Sequence, residues 1–229
     1  MFIPNRCVHI DTVGTNVLIR GSVPLVGKNM HFAYHEIEEA SGVPLGGYKL
    51  IDMPILDNVG ERPIWSAEVS AFGVNPASYP ESYWPPYTQS GYDSRKWLGT
   101  SVVTEGGTYP ASLIWWPFEG LPEGQQPEVF LFSPGWNYSG FIDYVIGMLR
   151  TLENVAVYVH CMLGADRTGA FHIGYLMKSK GMSLEEASEA ANSSTPAGAP
   201  NADYLRLVEA YSKVIPGRGN SALPDVRVA

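Results

Sequence analysis

Cys161 and Arg167 are the two side chains whose types and spacing best fit chemistry on a phosphate group, and five residues separate them. The apolar run at 155–159 predicts a buried strand before them, and the apolar residues up to Gly181 predict a helix after them. Backbone N–H groups converge where such a turn enters a helix, and the helix dipole adds positive charge. A cysteine in that place has a pKa of roughly 3.5–7.5 and is a nucleophile. Arg167 offers a planar fork to two phosphate oxygens.

The residues around this pair also suit an anion-binding turn. Gly164 permits a sharp turn with inward N–H groups. His160 can fix the turn through its ring nitrogens, and Thr168 can donate a hydroxyl hydrogen bond to the sulfur. The backbone between the pair forms the predicted phosphate-binding loop, which consists of Met162, Leu163, Gly164, Ala165 and Asp166, closed by Arg167.

The stretch HCMLGADRTG at 160–169 resembles the HCx5R signature of the protein tyrosine phosphatase superfamily. Its second part, GADRTG, is similar to the signature of bacterial dual-specificity and lipid-type members. The resemblance implies hydrolysis of a phosphate monoester in two steps. The Cys161 thiolate attacks phosphorus, and water then attacks the cysteinyl-phosphate intermediate. The resemblance implies neither a metal ion nor a cofactor.

The leaving oxygen of such a substrate needs a proton, so a carboxylic acid is expected on a loop above the turn. The segment WPFEGLPE at 116–123 resembles the acid loop of tyrosine-specific members, although Glu119 is displaced by one position from the family's aspartate. The segment MPILD at 53–57 resembles the dual-specificity pattern, in which Asp57 is the acid. The predicted order of elements favours Glu119 over Asp57, and Asp166 is a third candidate.

These residues must be positioned by an α/β fold, with a central, mostly parallel sheet flanked by helices and the reactive turn at the carboxyl end of strand 155–159. Three C-terminal helices have predicted caps, at Asn137 or Ser139, at Ser183 with Glu186, and at Asn201. The other predicted elements are an edge strand at 16–20, a helix at 31–40, a central strand at 48–53 and a further strand at 112–116.

The sequence predicts one domain over residues 1–215, followed by a tail at 216–229. Between about 58 and 110 lies a segment rich in Pro, Gly, Tyr and Trp without clear periodicity. We interpret it as an insertion or a lid, since loops of that length are uncommon otherwise, and its aromatic content argues against disorder.

Composition narrows the function further. The net charge of −8 makes nucleic acid and acidic membrane surfaces poor partners. No stretch approaches the roughly 18 apolar residues of a membrane span, and the N-terminus resembles no cleavable signal peptide. Cys7 and Cys161 form no disulfide framework, and a free thiol suits a reducing compartment. We therefore expect a cytoplasmic protein, or a bacterial effector exported without a cleavable signal.

The favoured substrate is a phosphorylated protein, hydrolysed at phosphotyrosine and with dual specificity as an extension. The first alternative is a phosphoinositide or inositol-phosphate phosphatase. Such sites place lysines in the loop, and residues 162–166 contain none. The second alternative is an inactive module that binds phosphorylated partners. His31 and His35 have metal-ligand spacing, but no third ligand is apparent, so the prediction is that they bind no metal.

Overall fold

The computed structural model describes residues 1–57, 60–78, 97–116, 118, 126–132, 137–195 and 199–215. Within them, a six-stranded sheet has the order β1-β2-β8-β5-β7-β6. Its strands are β1 (Val8–Val13), β2 (Asn16–Ser22), β5 (Lys49–Pro54), β6 (Ser101–Thr104), β7 (Gly107–Leu113) and β8 (Val155–Cys161). The pairs β2·β8, β8·β5 and β5·β7 are parallel, whereas β1·β2 and β6·β7 are antiparallel. A short pair, β3 (Leu25–Val26) and β4 (His31–Phe32), lies outside this sheet.

Helices cover both faces of the sheet, and a separate apolar cluster fills each face. One cluster joins the sheet to α4 (Tyr138–Thr151), α5 (Asp166–Lys180), α6 (Leu184–Ser193) and α7 (Ala202–Val214), with α3 (Glu128–Phe132) beside them. The other cluster holds α1 (Tyr34–Ser41) and α2 (Arg62–Ala71). This is the predicted α/β architecture, with a mostly parallel sheet between helices.

The strand that leads to the site is buried along its whole length. All of β8 is buried, and β2 and β5 lie on either side of it. A strand in that position needs apolar side chains on both faces, which is why the run at 155–159 does not alternate. The predictions of this strand and of the central strand at 48–53 are confirmed.

The capped helices also agree with the sequence. The Asn137 side chain accepts from the Gly140 N–H, and Ser183 and Glu186 form a capping box. The Asn201 side chain accepts the N–H groups of Asp203 and Tyr204. These caps fix where the helices beside the site begin, because they satisfy N–H groups of the first helical turn.

Four predictions in the N-terminal half are wrong in part. The strand at 16–20 is interior, since β1 pairs outside it and forms the edge. The helix at 31–40 begins only at Tyr34, because His31 and Phe32 pair in β4. The strand at 112–116 is β7, which starts at Gly107 and ends at Leu113.

The fourth error concerns α2, which lies within the segment thought to lack periodicity. Its buried face is Trp65, Glu68 and Val69, which is helical spacing. Glu68 interrupts the apolar stripe of α2, so the helical period is not apparent in the sequence.

The single domain over 1–215 and the insertion or lid at 58–110 stay predictions. Residues 79–96 and the tail at 216–229 lie outside the described part of the chain. None of the helices in the described part of the chain combines the length and the hydropathy that a membrane span requires.

Candidate active site

The loop from β8 to α5 is pressed against the end of β2. Cys161 ends β8, and Asp166 begins α5. Gly164, between them, has φ +70°, and a Cβ there would lie 2.6 Å from the carbonyl oxygen of Gly21. Glycine is therefore required twice over at position 164, by the backbone conformation and by the close approach to β2.

Two carbonyls of this loop are held on the β2 side. Met162 O accepts the N–H of Val23 at 3.2 Å, and Gly164 O accepts from Arg20 Nη2 at 2.6 Å. In a trans peptide the C=O and the following N–H point in opposite directions. The N–H groups of Leu163 and Ala165 are thus directed away from β2, as a cradle for an oxyanion requires.

The environment of Cys161 lowers its pKa although the side chain is buried. Burial raises the pKa of the thiol, but the positive charge of Arg167 lowers it. Hydrogen bonds from the side chain and backbone of Thr168 and from the backbone of Gly164 lower it further, and the net shift is downward. The sulfur is therefore biased toward the thiolate, which is the nucleophilic form.

Arg167 is held in place by contacts on one edge of its guanidinium. Nη1 donates to Glu61 Oε2 at 2.8 Å, and to the carbonyls of Ile55 and Phe118 at 3.0 Å each. Nη2 donates to Glu61 Oε1 at 2.5 Å. Glu61 thus occupies the Nη1–Nη2 edge, and the edge formed by Nε–H and the second Nη2 proton is the one that can grip two phosphate oxygens.

His160 lies in a fully buried cluster with two carboxyl groups. Its Nε2 is 2.9 Å from Glu68 Oε1 and 3.2 Å from Asp52 Oδ1, and its Nδ1 is 3.4 Å from the Cys161 carbonyl oxygen. Burial lowers the pKa of His160, but the two carboxylates outweigh it and raise the pKa to about 10. Burial also raises the pKa of Glu68. Because both pKa values are raised, the cluster binds more protons near neutral pH than the same residues would in water. It lies directly behind the peptide group of Cys161.

These three residues are also the one set of clustered potential metal ligands among the described residues. Their ligand atoms lie within 4.8 Å of one another. His160 Nε2 is within hydrogen-bond distance of both carboxylates, whereas Asp52 Oδ2 and Glu68 Oε2 are buried without a hydrogen-bond partner among the described residues.

A cavity of about 390 Å³ opens at the loop, and two of the three candidate general acids, Asp57 and Asp166, line it. Asp57 lines it, and one oxygen of Asp57 accepts the N–H of Gly60 at 2.7 Å. Asp166 lines it as well, but its Oδ1 accepts the N–H of Asn201 at 2.8 Å, which ties α5 to the start of α7. Glu119 lies outside the described residues. The cavity wall consists of Asp57, Glu61, Cys161, Met162, Leu163, Asp166, Arg167 and Tyr204.

Sequence reasoning missed Arg20, Asp52, Glu61 and Glu68. Two of them left a signal, because Arg20 follows the apolar run 17–19 and Asp52 lies between apolar neighbours in β5, and a charge is rarely buried there without a reason. The two glutamates lie in the segment without recognisable periodicity, and their partners are about 100 residues away in sequence.

Comparison with known proteins finds similar sequences that are dual specificity phosphatases. The family model of the dual specificity phosphatase catalytic domain matches residues 133–214. Dual specificity protein phosphatase 1B of Arabidopsis thaliana is 33% identical over 118 residues, which cover 52% of this chain and 66% of that protein. Dual specificity protein phosphatase 1 of the same plant is 36% identical over 72 residues, which cover 31% of this chain and 35% of that protein.

A solved structure with a similar chain path is the protein tyrosine phosphatase TbPTP1 of Trypanosoma brucei. Its TM-score is 0.48 at 15% identity, and the match covers 89% of this chain and 70% of that one. The chain is similar to members of the protein tyrosine phosphatase superfamily over these residues, which supports its membership. It spans about a third of the length of the first Arabidopsis relative.

Proposed function

We propose that the protein hydrolyses phosphate monoesters on phosphorylated proteins, with Cys161 as nucleophile and Arg167 as the phosphate clamp. The observation that carries this proposal is the coincidence, in one turn, of a buried thiol with a lowered pKa and loop N–H groups turned away from β2. Arg167 adds the open edge of a guanidinium whose other edge is held by Glu61. An activated cysteine at an oxyanion cradle is the arrangement that covalent phosphoryl transfer needs.

The reaction then proceeds in two displacements. In the first, the thiolate forms an S–P bond while the ester P–O bond breaks, and the general acid protonates the leaving oxygen. In the second, water attacks phosphorus, the S–P bond breaks, and the same carboxylate takes the proton from water. The products are the free hydroxyl and inorganic phosphate, and the thiolate is restored. Loop N–H groups and Arg167 hold the three phosphoryl oxygens through both steps.

The acid comes from one of two loops. Asp57 lies in the wall of the cavity that contains Cys161. Glu119 directly follows Phe118, whose carbonyl accepts from Arg167 Nη1. Asp166 is the weaker candidate because its carboxylate supports the start of α7.

Phosphotyrosine is the proposed substrate group, with phosphoserine and phosphothreonine as the extension. The match to the dual specificity catalytic domain supports this class. The charges of the cavity support it too, since Asp57, Glu61 and Asp166 line it and the loop contains no lysine. Such a wall repels the additional phosphates of phosphoinositides. We further propose a reducing, cytoplasmic location, where the free thiol of Cys161 survives.

The test compares phosphate release from an aryl phosphate, a phosphopeptide panel and phosphoinositides. Cys161→Ser should abolish release, whereas Cys7→Ser, which changes the other cysteine, should leave it intact. Phosphoinositides hydrolysed faster than every phosphopeptide would move the assignment to lipid phosphatases. Binding of phosphopeptides without any release by the wild type would indicate an inactive binding module instead.

A further inference from the structure

A second guanidinium is buried beside the loop, and the mechanism above does not use it. Arg20 on β2 has only 2% of its surface exposed. Its Nη2 donates to Gly164 O at 2.6 Å, and its Nη1 is 3.2 Å from His172 Nδ1 on α5. Within the described residues it forms no ion pair with a carboxylate. A buried charge without a counter-charge is strongly unfavourable, so another group must compensate it.

The groups around Arg20 leave one candidate for that role. His172 is neutral, because burial, together with the nearby charge of Arg20, lowers its pKa to about 3. Arg6 is a like charge and Tyr158 is a buried neutral phenol, whose pKa burial raises. Burial lowers the pKa of Arg20 to about 10, so Arg20 is charged at neutral pH, and the Cys161 thiolate is the strongest opposing influence.

The hydrogen bond from Arg20 also determines the direction of a peptide plane in the loop. It holds the carbonyl of Gly164, and the opposite end of that peptide is the N–H of Ala165. The N–H of Gly164 itself is among the donors that act on the Cys161 sulfur. Arg20 is therefore linked to the Ala165 N–H, which is directed away from β2. It is also linked to Gly164, whose own N–H acts on the Cys161 sulfur.

We propose that Arg20 is a positioning residue of the site, which holds the Gly164–Ala165 peptide in its anion-binding orientation from the β2 side and adds a second buried cation beside the loop that carries Cys161. This role rests on the proposed function. It divides the work between two arginines: Arg167 contacts the substrate, whereas Arg20 acts through the loop and the sulfur. Its charge and its hydrogen bond have separate consequences, which two substitutions can separate.

The experiment uses the full chain and two readouts. The first is the pH dependence of Cys161 alkylation by iodoacetamide, with the modified cysteine identified by mass spectrometry. The second is inhibition of aryl phosphate hydrolysis by orthovanadate, an analogue of the bound phosphoryl group. Arg20→Gln keeps a hydrogen-bond donor but removes the charge, and Arg20→Lys keeps the charge but removes the planar fork. Arg206→Gln, at an exposed arginine of α7, is the control for net charge.

We expect Arg20→Gln to raise the Cys161 thiol pKa, but by less than loss of Arg167 does, because Arg167 is the leading charge that lowers it. Arg20→Lys should stay within about half a unit of the wild type but bind vanadate about tenfold more weakly, because the peptide is no longer held. Arg206→Gln should change neither. A residue that only stabilises the fold would move no thiol pKa.

Wild-type thiol pKa and vanadate affinity in Arg20→Gln would overturn the inference while leaving the proposed function intact. If Arg20→Gln does not fold, Arg20→Lys decides, and an unchanged vanadate affinity in it overturns the inference. An ordinary thiol pKa in the wild type, or hydrolysis that survives Cys161→Ser, would instead remove the proposed function itself.

Discussion

The two cysteines of this protein are equally buried, and their thiols are shifted in opposite directions. Cys7 and Cys161 each have 3% of their surface exposed. Burial raises the pKa of Cys7 to about 12, and its sulfur lies 3.9 Å from the carbonyl oxygen of Ile37. Burial acts on Cys161 in the same direction, yet the pKa of Cys161 is lowered.

The difference lies in what surrounds each sulfur. Cys7 lies in the apolar cluster of the α1–α2 face, where burial alone acts on its pKa among the described residues. Cys161 ends a strand where a guanidinium and converging N–H groups face it. Burial without donors makes a thiol inert, whereas burial among donors makes it a nucleophile. This comparison can be tested by removing, in turn, the groups that distinguish the second site from the first.

Arg167→Met should have the largest effect, because it removes both the phosphate clamp and the leading charge that opposes burial at Cys161. We expect kcat/KM for an aryl phosphate to fall by about 10³-fold or more, with a higher Cys161 thiol pKa. Steady-state kinetics and pH-dependent alkylation measure the two effects. Arg206→Met is the control. An unchanged alkylation profile would mean that Cys161 does not depend on this cation.

Removing the general acid should have the next largest effect, and only on substrates with poor leaving groups. Either Asp57→Asn or Glu119→Gln should lower the rate on alkyl phosphates by about 10²-fold or more, while aryl phosphates with acidic phenols are little affected. The other substitution is its matched control. Equal losses on both substrate types would exclude that residue as the acid.

Glu61→Gln should have a smaller effect, because the amide keeps a contact with Arg167 but loses its charge. We expect the Cys161 thiol pKa to be nearly unchanged and the KM for an aryl phosphate to rise about tenfold, since the clamp is less well oriented. Glu209→Gln, on the exposed face of α7, is a suitable control. A fall in kcat with an unchanged KM would show that Glu61 acts on a later step than binding.

The strand–turn–helix unit that contains Cys161 and Arg167 was predictable because its sequence information is local. Cys161, Gly164 and Arg167 lie within one strand–turn–helix unit, and each residue type has a physical reason to be there. The caps at Ser183 and Asn201 were predictable for the same reason, and Asn137 was one of two candidates for the third. Local hydrogen bonding depends on neighbours in the sequence, and the chain displays these directly.

The supporting residues were not predictable because their partners are distant along the chain. Glu61 meets Arg167 across 106 residues, Glu68 meets His160 across 92, and Arg20 meets Gly164 across 144. Each also violates the apolar pattern of its own element or lies outside any pattern. A buried charged residue also interrupts the apolar periodicity of its own element, so the element is harder to predict. Glu68 has this effect in α2.

The smallest effect should appear in stability, and it has opposite signs for the two cysteines. The pKa of Cys7 is raised on folding, so its contribution to stability is present below the unfolded thiol pKa and is lost as pH rises above it. The pKa of Cys161 is lowered, so its contribution is present above the unfolded thiol pKa and is lost as pH falls through the folded value. Each slope is at most about 1.4 kcal/mol per pH unit.

Urea unfolding of the wild type, Cys7→Ala and Cys161→Ala across neutral to alkaline pH measures these slopes. Taking each variant relative to the wild type cancels the titration of groups that all three proteins share, including His160 and the buried tyrosines. The free energy of unfolding of Cys161→Ala should fall relative to that of the wild type as pH rises toward the unfolded thiol pKa. The free energy of unfolding of Cys7→Ala should rise relative to that of the wild type above that pH. Curves that stay parallel for both variants would mean that the two buried sulfurs do not differ in ionisation, and the contrast between an inert and an activated thiol would fail.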